Sequence, residues 1–298
     1  SDEGSDEGLD DDKKNDTTDD DTEIDTEIDT EIDTEIDTAD DTGEDYSDYE
    51  SEDDTRNNDD YIATIRNIPL QLLFIEKLDN TLEDYLLDEN FNQEVLLSCL
   101  FQISFALNYL QKHFQFTHND LHINNIMYST TETEYLYYKL NNLYFKIPTY
   151  GKIFKIIDFG RSIFTFRNKT YMNDVFSKHG EAGGQYYYPK QVGFLNSENK
   201  YEKIKPNYHF DLCRLSMTIL DEINTDDLEN ELAFLLCKLC SDKDGNDFRN
   251  MDDDFNLYIS IAKNANNSLP SDVLKNKLFK RYRVPKKKFP RKSYYQLH

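Results

Sequence analysis

Cysteine is scarce in this chain, four among 298 residues, which excludes a disulfide framework. Long apolar runs are absent too. No stretch of about 18 apolar residues exists, so no segment reads as a membrane-spanning helix. The N-terminus lacks the basic and apolar stretches of a secretory signal peptide. It begins with Ser1 rather than Met, as a processed or partial chain does. Bases are outnumbered, 33 Lys+Arg against 59 Asp+Glu, for a net charge of −26. That balance disfavours a nucleic-acid binder working through overall charge, because the long-range field repels phosphate. The expectation is an intracellular protein in a reducing compartment, cytoplasmic or nuclear, with no direct nucleic-acid or membrane partner.

The deficit of bases is local. Residues 1–60 hold 30 of the acids and three of the bases, leaving 29 acids against 30 bases in residues 61–298. Ser-Asp-Glu-Gly occurs twice in residues 1–8, and Asp-Thr-Glu-Ile repeats four times from Asp21 to Ile36. One Ile in every four residues cannot offset the entropy of ordering a chain whose carboxylates repel one another, so 1–60 reads as a disordered acidic tail. Such a tail suits a basic protein partner, and Ser47 and Ser51 suit acid-directed phosphorylation.

From Tyr61 the texture becomes that of a folded body. Leu70 to Ile75 is a short apolar run after Pro69 and predicts a strand buried on both faces. A polar connection (76–80) and a short helix near Leu82–Leu87 follow. Asn92 is placed to cap a long helix with one broad apolar face from Val95 to Leu110. Strands are expected at Tyr135–Tyr138, Leu143–Ile147 and Ile153–Ile157, with turns at Asn141-Asn142 and Tyr150-Gly151. Further helices are expected over Phe210–Ile223, from a Thr225 cap to Leu239, and over Asp254–Ala262. Cys237 and Cys240 share one face of the second of these, where core packing outweighs metal or redox chemistry. Lys275–Lys292 carries ten bases and is expected to drape over the surface, in part against the acidic tail. His113, His179 and His209 show no metal-ligand spacing. Gly183-Gly184 reads as a flexible hinge, and Tyr186–Tyr188 as packing residues.

The residues that carry chemistry are His118-Asn119-Asp120-Leu121-His122-Ile123-Asn124-Asn125, followed by Ile156-Ile157-Asp158-Phe159-Gly160. Phosphoryl transfer passes through a loose transition state, so its catalysis is mainly positioning and charge neutralisation. It needs one carboxylate to orient the acceptor hydroxyl and take its proton, and a second carboxylate with a neutral oxygen ligand to hold Mg²⁺ on the phosphates. Asp120, Asp158 and Asn125 are that set. Gly160 is expected to let the chain turn sharply after Asp158.

These motifs, in this order, resemble the catalytic core of the protein kinase family, whose signature is H-R-D-L-x-x-x-N followed by D-F-G. Phe210-Asp211-Leu212-Cys213-Arg214-Leu215 is similar to the family's D-x-W-S-x-G helix start, and Leu72 to Leu86 to its last small-lobe strand, hinge and following helix. The resemblance covers about residues 68–265 and extends to kinases of giant DNA viruses, some of which share the H-N-D-L-H variant; for such a protein the compartment is the host cell. It implies an α+β fold, mainly the helical large lobe of a kinase. Residues 61–81 would be the last small-lobe strand and hinge, 82–274 the large lobe and 275–298 a basic extension. It further implies ATP and Mg²⁺ as cofactors and a protein substrate phosphorylated on Ser or Thr. Asp120 would be the catalytic base, and Asn125 and Asp158 the metal ligands. Ile75 would be the gatekeeper, with the backbone of Glu76 and Leu78 on the adenine. His118, Phe159, Gly160 and Asp211 would be structural supports.

The chain departs from the family in several places. Asn119 replaces the Arg that pairs with an activation-loop phosphate, and His122 replaces the usual Lys. His122 is shared with haspin-like kinases and with aminoglycoside and choline kinases, which keeps a small-molecule acceptor as an alternative. Tyr188-Pro189-Lys190 stands nearest to A-P-E but lacks its Glu. Upstream of the hinge there is no G-x-G-x-x-G and no anchoring lysine. A catalytically impaired binding scaffold is therefore the other alternative.

Overall fold

The computed structural model describes residues 72–186, 205–251 and 255–297. A two-residue strand, β1 (Asn80–Thr81), leads into α1 (Leu82–Leu86). Thr81 caps α1 reciprocally: its hydroxyl accepts from the Asp84 N–H at 3.0 Å, and the Asp84 carboxylate accepts from the Thr81 N–H at 3.0 Å. The long α2 (Gln93–Phe114) starts at Asn92, whose side chain accepts from the Glu94 N–H at 2.9 Å, and stops at Gln115 in a left-handed conformation, φ +50°. From Val95 to Phe105 every residue of α2 is buried, not one face alone. Two of the polar members, Ser98 and Gln102, are satisfied by strands packed over them. The Ser98 hydroxyl donates to the Pro148 carbonyl at 2.6 Å, and the Gln102 side-chain oxygen accepts from the Phe154 N–H at 3.0 Å.

Four strands follow: β2 (Ile126–Thr130), β3 (Tyr135–Leu140), β4 (Leu143–Pro148) and β5 (Lys152–Ile156). β3 and β4 form a hairpin whose tight turn uses Asn141 at φ +51°. β2 and β5 flank that hairpin in sequence and pair antiparallel with each other, with β1 on the far side of β2. A small hairpin, β6 (Phe164–Phe166) and β7 (Lys169–Tyr171), turns through Arg167 and Asn168, both at positive φ. The helical part comprises α3 (Phe210–Glu222), α4 (Asn230–Leu239), α5 (Phe255–Asn264) and α6 (Pro270–Val273), and β8 (Tyr295–Leu297) returns to pair parallel with β3. The architecture is α+β with small sheets. Phe101 sits at its centre, ringed by Tyr138, Phe145 and Phe279 at 5.0–5.2 Å. All four cysteines are free thiols, with Cys240 in the core and Cys237 packed partly against it. No helix among the described residues is long and apolar enough to cross a membrane.

Several expectations need correction. Leu72 to Ile75 form no strand and are not buried; each is 72–89% exposed. Four apolar residues in a row make a strand only where a ladder partner exists, and none is present among the described residues. Thr225 does not cap the helix to Leu239. Asn224 caps a short 3₁₀ turn over Thr225–Asp227, and α4 begins at Asn230. The C-terminal bases do not simply drape. Leu278 and Phe279 are buried in the core, and Arg281 bonds Glu94 at 2.7 Å. Gly183 is a close-packing position rather than a hinge, since a Cβ there would lie 2.7 Å from the Ser177 carbonyl oxygen. The acidic segment 1–60, residues 61–71, Tyr187 and Tyr188-Pro189-Lys190 lie outside the described residues.

Candidate functional site

The two motifs meet because of strand register. Ile126 opposes Ile156 in the β2–β5 ladder, which sets Asn125 beside Ile157, and the Ile157 N–H donates to the Asn125 carbonyl at 3.0 Å. Leu121 and Ile123 are buried and anchor the loop between His118 and Asn125. Below that loop, Asp211 in the first turn of α3 is wholly buried. Its carboxylate accepts from the His118 N–H at 2.9 Å and from the Asn119 N–H at 2.9 Å. Burial pushes the Asp211 pKa up, opposed by His118 and the two backbone donors. His118 Nε2 donates to the Ile157 carbonyl at 2.8 Å, and its ring lies against Phe159, centroids 5.6 Å apart. One buried acid, one imidazole and one strand pair thus lock the two loops together.

Asp120, Asn125 and Asp158 all lie at this junction. Asn125 is buried and its Nδ2 donates to the Asp120 carbonyl at 2.8 Å, so Oδ1 is the end of the amide left for a cation. Asp158 is exposed, and its Oδ1 accepts from the Gly160 N–H at 3.2 Å. The sharp turn falls on Asp158 itself, at φ +58°, and not on Gly160. Gly160 matters sterically instead, because a Cβ there would sit 3.2 Å from Asp158 Oδ1. Ile75, expected as the gatekeeper on a buried strand, is 72% exposed; Glu76 is ion-paired with Lys155, and Leu78 is half-buried.

The departures have local explanations. Asn119 is buried in a left-handed conformation, φ +64°, which Asn tolerates better than most residues. Its Nδ2 donates to Thr117 Oγ1 and to the Arg161 carbonyl, both at 3.0 Å. It ties the loop to the residue after Gly160. Nδ1 of His122 accepts from the Asn124 N–H at 3.2 Å, and burial lowers its pKa against the pull of Asp120 and Asp158. His122 thus caps the short turn over Ile123–Asn125.

Sequence reasoning missed two residues. The Tyr258 hydroxyl on α5 donates to Asp120 Oδ1 at 3.1 Å, and Arg161 reaches the same oxygen at 3.8 Å while also approaching Glu181 at 3.6 Å. The Arg161 and Arg214 guanidiniums lie 5.6 and 5.3 Å from the Tyr258 ring centroid. No periodicity or motif marks Tyr258, since 138 residues separate it from Asp120.

A divalent metal fits the donor chemistry in part. Asp158 and Asn125 offer the hard oxygen ligands that Mg²⁺ prefers, and Mg²⁺ on a nucleotide needs only one or two protein ligands beside phosphates and water. Among the described residues no cluster of three or more His, Cys, Asp or Glu could hold a metal unaided.

No protein-family description matches the chain. It is 37% identical over 105 residues to a probable serine/threonine-protein kinase of Dictyostelium discoideum, an alignment that covers 32% of this chain and 9% of that protein. The chain thus spans about a tenth of the length of this curated relative, and the similarity is kinase-like over part of its length.

Proposed function

We propose that the chain is a protein kinase-like phosphotransferase that moves the γ-phosphate of ATP to a Ser or Thr hydroxyl of a protein. The observation that carries this reading is the grip of Asp211 on the backbone of His118 and Asn119. It holds the backbone just before Asp120 while His118 and the β2–β5 ladder hold Ile157, the residue before Asp158, against Asn125. In this reading Asp120 is the base. Tyr258 fixes one carboxylate oxygen, and the acceptor hydroxyl would be oriented by, and give its proton to, the other. Asn125 Oδ1 and the Asp158 carboxylate would hold Mg²⁺, which supplies charge neutralisation on the phosphates. Residues Ile75, Glu76 and Leu78 would border the adenine.

The test is transfer of labelled phosphate to generic basic and acidic proteins by wild type, Asp120→Asn and Asp158→Ala. Loss of the base is expected to lower the rate by about 10²–10⁴-fold. Equal signal in all three proteins, each folded, overturns the assignment. A second reading, a binding scaffold of kinase shape, is favoured by the engagement of Asp120 with Tyr258 and Arg161. Thermal melting with Mg·ATP separates the two. A nucleotide at a hundredfold above its Kd stabilises by about 2.7 kcal/mol, and an inert scaffold does not shift.

A further inference from the structure

One guanidinium links Asp120 to an acid at the surface. Arg161 directs Nη1 to Asp120 Oδ1 at 3.8 Å and Nη2 to Glu181 Oε2 at 3.6 Å. Its place is fixed from two sides. The Arg161 carbonyl accepts from Asn119 Nδ2 at 3.0 Å, and the guanidinium lies 5.6 Å from the centre of the Tyr258 ring. Arg214 brings a second guanidinium to that ring, at 5.3 Å. The Arg161 side chain is 24% exposed, whereas that of Glu181 is 79% exposed. A largely buried cation is thus paired, on its outer side, with an acid that solvent and other molecules reach.

The two ends of Arg161 face different tasks. Tyr258 and Nη1 both engage Asp120 Oδ1, which leaves Oδ2 as the oxygen for an acceptor hydroxyl. Nη2 is turned outward, and Glu181 shows what it takes: a carboxylate. An ion pair with one exposed partner is weak, so a carboxylate brought by another molecule can replace that of Glu181. The guanidinium bridges the base and this carboxylate site. An extended peptide covers the same gap, roughly 10 Å, in about three residues. A basic side chain at that point would meet Arg161 and Arg214 instead, and a neutral one leaves Glu181 in place.

We propose that Arg161 selects acidic substrates: the acceptor Ser or Thr lies within about three residues of an Asp or Glu, whose carboxylate displaces Glu181 from Nη2. This rests on the phosphotransfer reading of the site and names its substrate class. The test is phosphate transfer by the full chain to three peptides, each with one Ser flanked on both sides by Glu, by Gln or by Lys. Fluorescence anisotropy of the same peptides, labelled, reads binding without turnover. Wild type should favour the Glu peptide over the Gln peptide about fivefold in kcat/KM, through KM, and should bind it tighter by the same factor. The chain's net charge of −26 repels an acidic peptide, so a preference arising from overall charge would run the other way. Arg161→Gln should bring the Glu-to-Gln ratio to about one. Glu181→Gln, at an exposed position, should lower KM and Kd for the Glu peptide about twofold or more. An unchanged melting temperature verifies each fold. Transfer that Asp120→Asn abolishes but that shows no preference for Glu overturns this inference and leaves the phosphotransfer reading standing. A preference that survives in Arg161→Gln overturns it too. Should Arg161→Gln unfold, an unchanged Kd in Glu181→Gln has the same force. Wild type that transfers no more phosphate than Asp120→Asn sinks the phosphotransfer reading, and this inference with it.

Discussion

Replacing Asp211 is the most direct probe of how this site is held. The carboxylate is wholly buried and is the acceptor for two backbone N–H groups that are themselves buried, at His118 and Asn119. Asp211→Ala strips both. Each buried donor left without an acceptor costs about 1–3 kcal/mol. Relief of the carboxylate's own burial, which is what raises its pKa, offsets part of that. The net expectation is a loss of about 2–4 kcal/mol, or roughly 5–15 °C in Tm for a body of this size. Asp211→Asn keeps one oxygen, which can still serve Asn119, and should lose about 1–2 kcal/mol. Urea unfolding of the three proteins, followed by far-UV circular dichroism, measures the series. Two results would refute the reasoning: a loss below about 1 kcal/mol in Asp211→Ala, or equal losses in the two variants. Either would mean that the loop does not depend on this acceptor.

Two further expectations concern the body. Phe279→Ala removes a fully buried ring from the cluster around Phe101 and should destabilise by about 3–5 kcal/mol in the same unfolding assay; a surface-draped C-terminal stretch would lose almost nothing. His209 accepts from the Ser268 N–H through Nδ1 at 3.1 Å, and burial lowers its pKa from the ordinary 6.5. The unfolded chain therefore takes up a proton that the folded one resists. Stability is present above about pH 6.5 and is lost as pH falls towards the depressed value. His209→Gln should flatten that decline in Tm against pH, though not abolish it, because His122 is shifted the same way.

Patterns of local origin were legible. Asn92 caps α2, Asn141-Asn142 turns the β3–β4 hairpin, and α3 begins at Phe210, because each depends on a few neighbouring residues. The small β6–β7 hairpin was missed. Its turn is Arg167-Asn168, which lacks the glycine that usually announces two successive positive φ angles. The exposure of Leu72–Ile75 was missed for the opposite reason: an apolar run implies burial only if something covers it.

The order of residues alone determined which groups could do chemistry: a loop from His118 to Asn125, an Asp-Phe-Gly and a later buried Asp, each recognisable by type and spacing. The tertiary structure decided how they are held and what surrounds them. Only folding brings Tyr258 to Asp120 across 138 residues, Asn119 to the Arg161 carbonyl, and Lys139 to the bases beyond Lys286. Such contacts depend on packing between distant elements, and no periodicity or local motif encodes the partner of a side chain that lies far away in sequence.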